Sequence, residues 1–445
     1  MEPGDQAERR TPSVFVFNPF AEGYIARGNA FTPVKHQAML AGDLANLPQF
    51  LCEPGDIVLL VKKPSPHFLA SLEQAGFAVP EFVELKEGRI DPAGGPFVRK
   101  LGGLRPWAWG PDSVKLFEPL FDRVTGEAPG ADRYFNGNIA RLYSKAWSAD
   151  FLNKVLDHCR GSATQTWLCS GHEAGVAVDT LDDVLKAVTT IRGRGHHRVV
   201  VKEALGLAGH NALRLWEPEI LPAQRRWLAH ALANGRQLVV EPWLERELDF
   251  SVQLEMGPGN LKLCGYTGLV NDRKGQFLGN WAEADFRQCP PAKVAGAFGS
   301  ALDISERLER LYGEIFSLLE GELQRAGFIG PVSIDAFVYR TPQGECRLKP
   351  VVEINPRYTM GRLTLELMKH ACTGACSLFR LVNRTQVHTE GFADFTHYAC
   401  SLRERLPLRL EAGPRPRIRQ GALCLNDPSE AQVCLASFQV APHDR

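Results

Sequence analysis

The sequence lacks an excess of charge of either sign and any long apolar run. Its 445 residues carry 51 Lys and Arg against 51 Asp and Glu, so no overall field favours nucleic acid or an anionic membrane, and we expect neither as a partner. No apolar run approaches the roughly 18 residues of a membrane helix, and MEPGDQAERR at the start contains no apolar stretch of the kind that forms a secretory signal. These absences predict a cytoplasmic protein.

Paired cysteine motifs are also missing. The chain has eleven scattered cysteines, an odd number with no C-x-x-C spacing. A secreted disulfide framework would be denser and even in number, so we expect free thiols. Cys372 and Cys376 stand one helical turn apart beside His370 and could hold part of a metal site, but they lack a second ligand pair at finger spacing, which favours packing.

Two common phosphate-binding strings and internal repeats are absent as well. The chain contains no G-x-x-x-x-G-K-[ST] string, and no G-x-G-x-x-G follows a predicted strand. No self-similarity recurs at 20 to 50 residues, which argues against a repeat architecture. With 44% hydrophobic and 23% charged residues, the composition is that of an ordinary globular protein, and the length predicts two or three domains.

The first part of the chain predicts a parallel sheet. The segment 13–17 and the apolar run 56–62 indicate strands, helical stretches follow each of them, and 78–83 indicates a third short strand. This alternation is typical of an open α/β domain. The segment 86–105 is rich in Gly and Pro and is interpreted as a loop. Further along the chain, Thr180 with Asp183 three residues later predicts the start of a helix, and a final helix is expected over about 362–382.

A hairpin near residue 343 carries the most informative chemistry. Two β-patterned runs, 332–340 and 346–355, are joined by T-P-Q-G, whose residue types favour a turn. Glu353 and Asn355 are two residues apart and therefore share a face of their strand. Counting from the turn places Asp335 opposite about residue 351, diagonal to Glu353.

Three hard oxygen ligands thus converge on one sheet face. Oxygen ligands suit Mg²⁺, which proteins usually hold by one or two carboxylates together with substrate phosphates. The alternative is a solvated strand face. The neighbours of Asp335 and Glu353 are apolar, and carboxylates embedded in apolar strands cost several kcal/mol unless they are paired or metal-bound. The sequence therefore favours a metal site.

Two earlier segments fit a bound nucleotide. In the segment RVVVKEALGLAGHNALR, residues 198–214, Lys202 stands at the end of a predicted strand and is followed by a loop that contains Gly206 and Gly209. Glycines let backbone N–H groups approach phosphate oxygens, and the lysine would neutralise their charge. Further on, a strand runs into Glu241-Pro242-Trp243-Leu244, a connector that offers backbone groups and a carboxylate to a purine edge.

The order of these pieces resembles the ATP-grasp superfamily. Four pieces follow one another within about residues 135–370: a strand with a lysine and a glycine loop, the string E-P-W-L, an Asp on a strand, and the string V-V-E-I-N-P-R. The resemblance implies a fold that combines α/β and α+β architecture, with an open parallel α/β domain followed by a two-lobed ATP-grasp module. The four implied regions are an N-terminal α/β domain with connector at 1–135, a small nucleotide-binding lobe at 136–255, a large lobe with the metal site at 256–384 and a C-terminal extension at 385–445. It implies ATP and Mg²⁺ (or Mn²⁺) as cofactors.

The resemblance also implies roles for individual residues. Asp335, Glu353 and Asn355 match the metal ligands, and Arg357 matches an arginine that stabilises charge on an acyl phosphate. The implied nucleotide contacts are Lys145 and Lys202 on phosphates, Gly206 and Gly209 in the glycine loop, Glu241, Leu244 or Trp243 at the adenine, and Asp249 on the ribose with Glu247 as its rival.

The activity implied by the resemblance is a carboxylate–amine ligase that works through an acyl phosphate. Its expected partners are a small, amino-acid-like carboxylate and a small amine, and the candidate assemblies include a homodimer. The loop 203–213 and the segment 271–276 are candidates for a mobile cover. Arg273 is a second candidate catalytic residue, because Arg273 and Lys274 could reach the γ-phosphate or a substrate carboxylate; the alternative is a solvated turn. A phosphotransferase and a non-catalytic nucleotide-binding protein remain the alternatives.

Overall fold

A computed structural model describes residues 10–126, 130–161, 167–206, 212–272, 275–287, 291–298, 302–413 and 416–442. Over these residues the chain forms a four-stranded sheet near its N-terminus, a second four-stranded sheet in its middle and a nine-stranded sheet in its C-terminal half. The first sheet is parallel and the other two are antiparallel. The predicted mixture of α/β and α+β architecture is confirmed.

The N-terminal sheet has the order β3-β2-β1-β4. Both β1 and β2 are buried along their whole length, as expected of inner parallel strands. The strand β4 begins within the segment 86–105 that was predicted to be a loop and ends one residue beyond it. Its G-L-R-P sequence has little strand character, and pairing with β1 decides its conformation. The elements are β1 Ser13–Val16, α1 Ala21–Arg27, α2 Lys35–Asp43, β2 Ile57–Leu60, α3 Pro66–Gln74, β3 Glu81–Glu84, β4 Gly103–Pro106 and α4 Pro111–Phe117.

A short helical segment leads to the middle sheet, whose order is β5-β8-β6-β7. The hydroxyl of Thr180 accepts a hydrogen bond from the Asp183 amide, which is the predicted start of α8. The apolar face of α8 packs on this sheet around Val184 and Val188. The elements are α5 Ala131–Tyr134, α6 Gly137–Leu142, α7 Lys145–His158, β5 Val176–Val178, α8 Leu181–Gly193, β6 Val199–Glu203, β7 Ala212–Leu215, α9 Pro222–Ala233 and β8 Leu238–Pro242.

The large sheet has the order β13-β12-β9-β10-β11-β14-β17-β16-β15. Its long helix α11 buries Leu308, Leu311 and Ile315 in the core that this sheet shares with α7, and it ends before Gly327, whose φ of 69° favours glycine. The elements are β9 Glu245–Met256, β10 Leu261–Asn271, β11 Phe277–Ala282, α10 Ala292–Gly296, α11 Leu302–Ala326, β12 Gly330–Arg340, β13 Cys346–Asn355, α12 Met360–Met368, β14 Ala375–Asn383, α13 Arg384–Thr389, α14 Phe395–Arg405, β15 Arg409–Glu411, β16 Arg417–Cys424 and β17 Cys434–Pro442.

Two expectations differ from this sheet. The predicted final helix over 362–382 is wrong, since α12 ends at Met368 and 375–383 forms β14, whose alternating burial and pairing with β17 override the helical pattern. The predicted lobe boundary at 255 does not coincide with a sheet boundary, because β9 pairs with β10 and β12. The C-terminal extension likewise continues the large sheet. The four-region division remains a prediction.

The ten cysteines within the described residues are free thiols, as predicted. Cys372 lies 3.1 Å from a carboxylate oxygen of Glu411, and the described residues hold no cluster of three or more His, Cys, Asp or Glu positioned for a metal. Throughout the described residues, the helices are too short or too polar to span a lipid bilayer.

Candidate active site

The hairpin of β12 and β13 brings its two carboxylates directly opposite each other. Asp335 pairs in register with Glu353, whereas the count from the turn placed it opposite residue 351. The difference comes from a bulge, because the register shifts between Asp335 and Phe337, and Phe337 already faces Lys349. Pro350 lies in the extra stretch of β13 and has no N–H to donate, so it suits an irregular position in the ladder. Asp335, Glu353 and Asn355 are called the hairpin cluster below.

Neighbouring side chains fix the carboxylate of Asp335 from two directions. The hydroxyl of Ser251 on β9 donates to one oxygen at 2.8 Å, and the amide nitrogen of Asn355 donates to the other at 3.1 Å. Ser251 is in turn 2.8 Å from the amide nitrogen of Gln253, two residues along the same strand. The side chain of Asp335 is therefore held on the face that carries Glu353.

Lys145, at the first position of α7, connects the hairpin cluster to the glycine loop. Its ammonium group lies 2.9 Å from a carboxylate oxygen of Glu353 and donates to the carbonyl of Gly206 at 2.7 Å. Burial acts to raise the pKa of Glu353, but the positive charges of Lys145, Lys202 and Arg357 together outweigh it and hold that pKa below its usual value. Burial raises the pKa of Asp335 to about 6, and the charge of Glu353 contributes to the rise.

Arg357 lies just past the end of β13 and joins the N-terminal domain to the hairpin cluster. Its Nε donates to Glu22 of α1 at 2.8 Å, and one terminal nitrogen donates to the amide oxygen of Asn355 at 3.1 Å. Glu22 and Arg357 are both largely buried. The guanidinium is therefore oriented by a residue that lies more than 300 positions away in the chain.

A second group of charges lines a cleft beside Glu353 and joins the middle sheet to β13. The carboxylate of Glu241, at the end of β8, forms ion pairs with Lys202 on one oxygen and with Lys349 at 2.9 Å on the other. Burial alone would raise the pKa of Glu241, yet the two ammonium groups lower it far below its usual value. Burial lowers the pKa of Lys202, and the attraction of Glu241 opposes this change. Lys202, Glu241 and Lys349 are called the hinge cluster below.

Trp243 and Leu244, which follow Glu241, are the two candidates for a backbone contact with a base, and their surroundings differ. The N–H of Trp243 already donates to the carbonyl of Arg198 at 2.9 Å, which favours Leu244 as the backbone partner of a base. The ring of Trp243 packs against Trp216 with centroids 5.8 Å apart and lies beneath the guanidinium of Arg246. Leu244 is buried beside the core of the large sheet.

The two candidates for a ribose contact have different surroundings. Asp249 accepts from Arg246 at 3.0 Å and from the side chain of Asn271 at 3.3 Å, and it lies on β9 two residues before Ser251. Glu247 is more exposed and pairs with Arg340 at 2.9 Å near the turn of the hairpin. The geometry favours Asp249, because it continues the polar row that ends at Asp335.

Three residues named from the sequence lie outside the described residues: Gly209, Arg273 and Lys274. Residues 207–211 in the centre of the loop 203–213 and the two central residues of 271–276 therefore lie outside the described residues. At the edge of the second segment, the side chain of Asp272 accepts from the N–H of Gln276 at 2.8 Å, which is the pattern of a turn.

One cleft between the middle and large sheets is lined by the whole hinge cluster and by Glu353 of the hairpin cluster, and Asp335 lies directly across from Glu353 in the hairpin. The walls of the cleft are formed by residues of α7, the middle sheet and β13, including Lys145, Ala149, Leu152, Gly175, Lys202, Val239, Glu241, Lys349, Val351, Val352 and Glu353. The donor set fits Mg²⁺: two carboxylates and one amide, with the pKa of Asp335 raised by burial and by a like charge, form an oxygen site that a divalent cation would neutralise. The same ion would leave positions for phosphate oxygens.

Comparison with known proteins gives only distant structural similarity. No protein-family model and no curated protein matches the sequence. The chain superposes on N5-carboxyaminoimidazole synthetase from Staphylococcus aureus complexed with ADP at a TM-score of 0.47, with 11% identity over 98% of this chain and 94% of that one. For the biotin carboxylase complex from Campylobacter jejuni the TM-score is 0.48, with 10% identity over 98% and 88% of the two chains. Similarity at this level does not assign an activity.

Four residues of the site were not found from the sequence. Ser251 and Gln253 lie in the alternating stretch D-F-S-V-Q, a polar row that could have been read as facing the hairpin. Lys349 lies within apolar strand residues, so the burial argument applied to Glu353 would have applied to it too. Glu22 carries no local signal, because its contact depends on how the N-terminal domain docks.

Proposed function

We propose that this protein is an ATP-dependent ligase that joins a carboxylate to an amine and releases ADP and phosphate. One observation carries the proposal: a single cleft is lined by Glu353, which has Asp335 and Asn355 beside it, and by Lys145, Lys202 and Lys349 with the carboxylate of Glu241. The oxygen atoms of the hairpin cluster suit divalent cations, and the ammonium groups of Lys145 and Lys202 suit phosphate oxygens. A metal–nucleotide complex satisfies both.

Each candidate residue then has a place along the nucleotide. Lys145 and Lys202 contact phosphates, together with the glycine loop that begins at Gly206. Glu241 and Leu244 contact the base, and Asp249 contacts the ribose. Asp335, Glu353 and Asn355 hold Mg²⁺ or Mn²⁺, which when bound supplies positive charge to the phosphate oxygens.

The chemistry follows from the placement of charge. A substrate carboxylate oxygen attacks the γ-phosphorus, the bond from that phosphorus to the bridging oxygen breaks, and ADP leaves with the bonding electrons. The amine nitrogen then attacks the acyl carbon, phosphate leaves, and the nitrogen loses a proton as the amide forms. Arg357 stabilises negative charge on the acyl phosphate and on the tetrahedral intermediate.

The substrates are proposed to enter from the side of Arg357. A second cleft lies between β4, the segment that follows α11 and the end of the hairpin, and its lining includes Arg105, Trp109, Tyr134 and Arg357. Cationic and aromatic side chains of this kind suit a small anionic molecule with an apolar or planar part. This supports a small carboxylate as one substrate and leaves its identity to experiment.

The test is release of phosphate from ATP·Mg²⁺ against a grid of small carboxylic acids and amines, amino acids included. A ligase releases ADP and phosphate only when a suitable acid and amine are both present. Accumulation of a stable phosphorylated acid without an amine requirement would assign a phosphotransferase. Binding of ATP·Mg²⁺ without turnover for any pair would assign a non-catalytic nucleotide-binding protein, and failure to bind nucleotide would overturn the proposal.

A further inference from the structure

Lys349 is a buried cation in the nucleotide cleft that none of the recognised motifs includes. Its side chain is 3% exposed, and its ammonium group donates to Glu241 at 2.9 Å and to the backbone carbonyl of Glu173 at 3.0 Å. The ring of Phe337 lies 6.0 Å away. Burying an ammonium group is costly unless its partners are well placed. The surroundings of Lys349 provide both a charge and a carbonyl.

The two lysines on Glu241 are not equivalent. Lys202 is 20% exposed, and the hydrogen-bond partner identified for its ammonium group within the described residues is Glu241. Lys349 is enclosed and has the additional carbonyl of Glu173. A nucleotide phosphate entering the cleft can therefore attract Lys202 away from Glu241, whereas Lys349 is held by two partners.

We propose that Lys349 is a positioning residue: it is the retained counter-ion of Glu241 and thereby allows Lys202 to turn from that carboxylate to the nucleotide phosphates. This inference rests on the proposed function, because it assumes that phosphates bind in the cleft. Lys349 itself contacts neither the phosphates nor the reacting atoms. Its effect on binding passes through the charge of Glu241.

The physical reason is the cost of an unpaired buried charge. When Lys202 moves to a phosphate, Glu241 would remain as an uncompensated carboxylate in a site where it is 7% exposed. Losing one partner of a buried pair is strongly unfavourable, whereas losing one of two partners is much less so. Lys349 thus lowers the cost of releasing Lys202, and this contribution exists only while Glu241 is charged.

A double-mutant cycle tests the inference. The variants are Lys349→Met, Glu241→Gln and the two together, with Lys262→Met on an exposed part of β10 as the matched control. Calorimetry measures binding of ATP·Mg²⁺ and of adenosine, which has no phosphates. We expect Lys349→Met to weaken ATP binding about tenfold or more in the wild-type background and only about twofold in the Glu241→Gln background, while adenosine binding and the control change little.

The outcomes separate the two proposals. Equal losses in both backgrounds, or equal losses for ATP and adenosine, would make Lys349 merely structural and overturn this inference while leaving the nucleotide site in place. Absence of ATP binding by the wild-type protein would overturn both. If Lys349→Met does not fold, Lys349→Gln, which retains a donor for the Glu173 carbonyl but not the charge, is measured in the same cycle with the same expectations.

Discussion

The hairpin cluster and the hinge cluster face the same cleft with opposite charge imbalance. In the hairpin cluster two carboxylates share one ammonium group, that of Lys145, and the pKa of Asp335 is raised. In the hinge cluster two ammonium groups share one carboxylate, that of Glu241, whose pKa is lowered. The hairpin cluster therefore has more carboxylates than ammonium groups, and the hinge cluster has more ammonium groups than carboxylates.

Because of this imbalance, the charges are not fully paired in either cluster. Buried charges contribute to stability only when they are matched, and a ligand that carries charges of both signs would relieve these two opposite mismatches. A metal–triphosphate complex is such a ligand. Substitutions in the hairpin cluster should therefore change metal binding, whereas substitutions in the hinge cluster should change the binding of nucleotide phosphates.

The largest effect should come from the hairpin cluster itself. Glu353→Gln removes the negative charge that faces Asp335, so we expect loss of Mg²⁺-dependent nucleotide stabilisation and of turnover, while the fold persists. Thermal melting with ATP in the presence and absence of Mg²⁺ measures this. The control is Glu345→Gln in the exposed turn of the same hairpin. Melting shifts with ATP·Mg²⁺ equal to those of the wild type would contradict the metal assignment.

Substitution of Arg357 should lower turnover without lowering the affinity for ATP. Arg357→Ala removes a guanidinium that acts on charge formed during the reaction, so we expect turnover to fall about a hundredfold with little change in ATP affinity. Steady-state kinetics and calorimetry together measure the split, and Arg340→Ala near the hairpin turn is the control. An equal loss of affinity and turnover would place Arg357 in nucleotide binding instead.

The variants Asp249→Asn and Glu247→Gln test which of these two residues of β9 contacts the ribose. Asp249 continues the polar row that leads to Asp335, whereas Glu247 is paired with Arg340. Loss of a charged hydrogen bond to the ribose predicts about tenfold weaker adenosine binding for Asp249→Asn and no change for Glu247→Gln. The reverse result from calorimetry would exchange their roles.

The smallest effect is expected at Ser251. Ser251→Ala removes the hydroxyl that donates to Asp335, so the half-saturating Mg²⁺ concentration should rise a few-fold and stability should fall by about 1 kcal/mol. Ser333→Ala is a close control, since that buried hydroxyl has no hydrogen-bond partner among the described residues. Mg²⁺ titrations that do not differ between the two variants would show that orientation of Asp335 is independent of Ser251.

Local patterns predicted the elements of the site better than its contacts. The capped helix after Thr180, the hairpin around T-P-Q-G and the strand that carries Lys202 follow from side-chain periodicity and turn chemistry, which act over a few residues. The exact opposition of Asp335 and Glu353 did not follow, because a bulge beside Pro350 changes the register. Strand β14 was taken for a helix, because its partner β17 lies some sixty residues further along the chain.

The sequence by itself determined which chemical groups are available and on which strands they stand. Alternation along β13 places Glu353 and Asn355 on one face whatever the rest of the chain does. Only the tertiary structure decided that Glu22 orients Arg357, that Lys145 reaches Glu353 and that Lys349 shares Glu241 with Lys202. These contacts join residues separated by about 40 to more than 300 positions, and the docking of separate sheets, which is driven by burial of their apolar faces, brings them together.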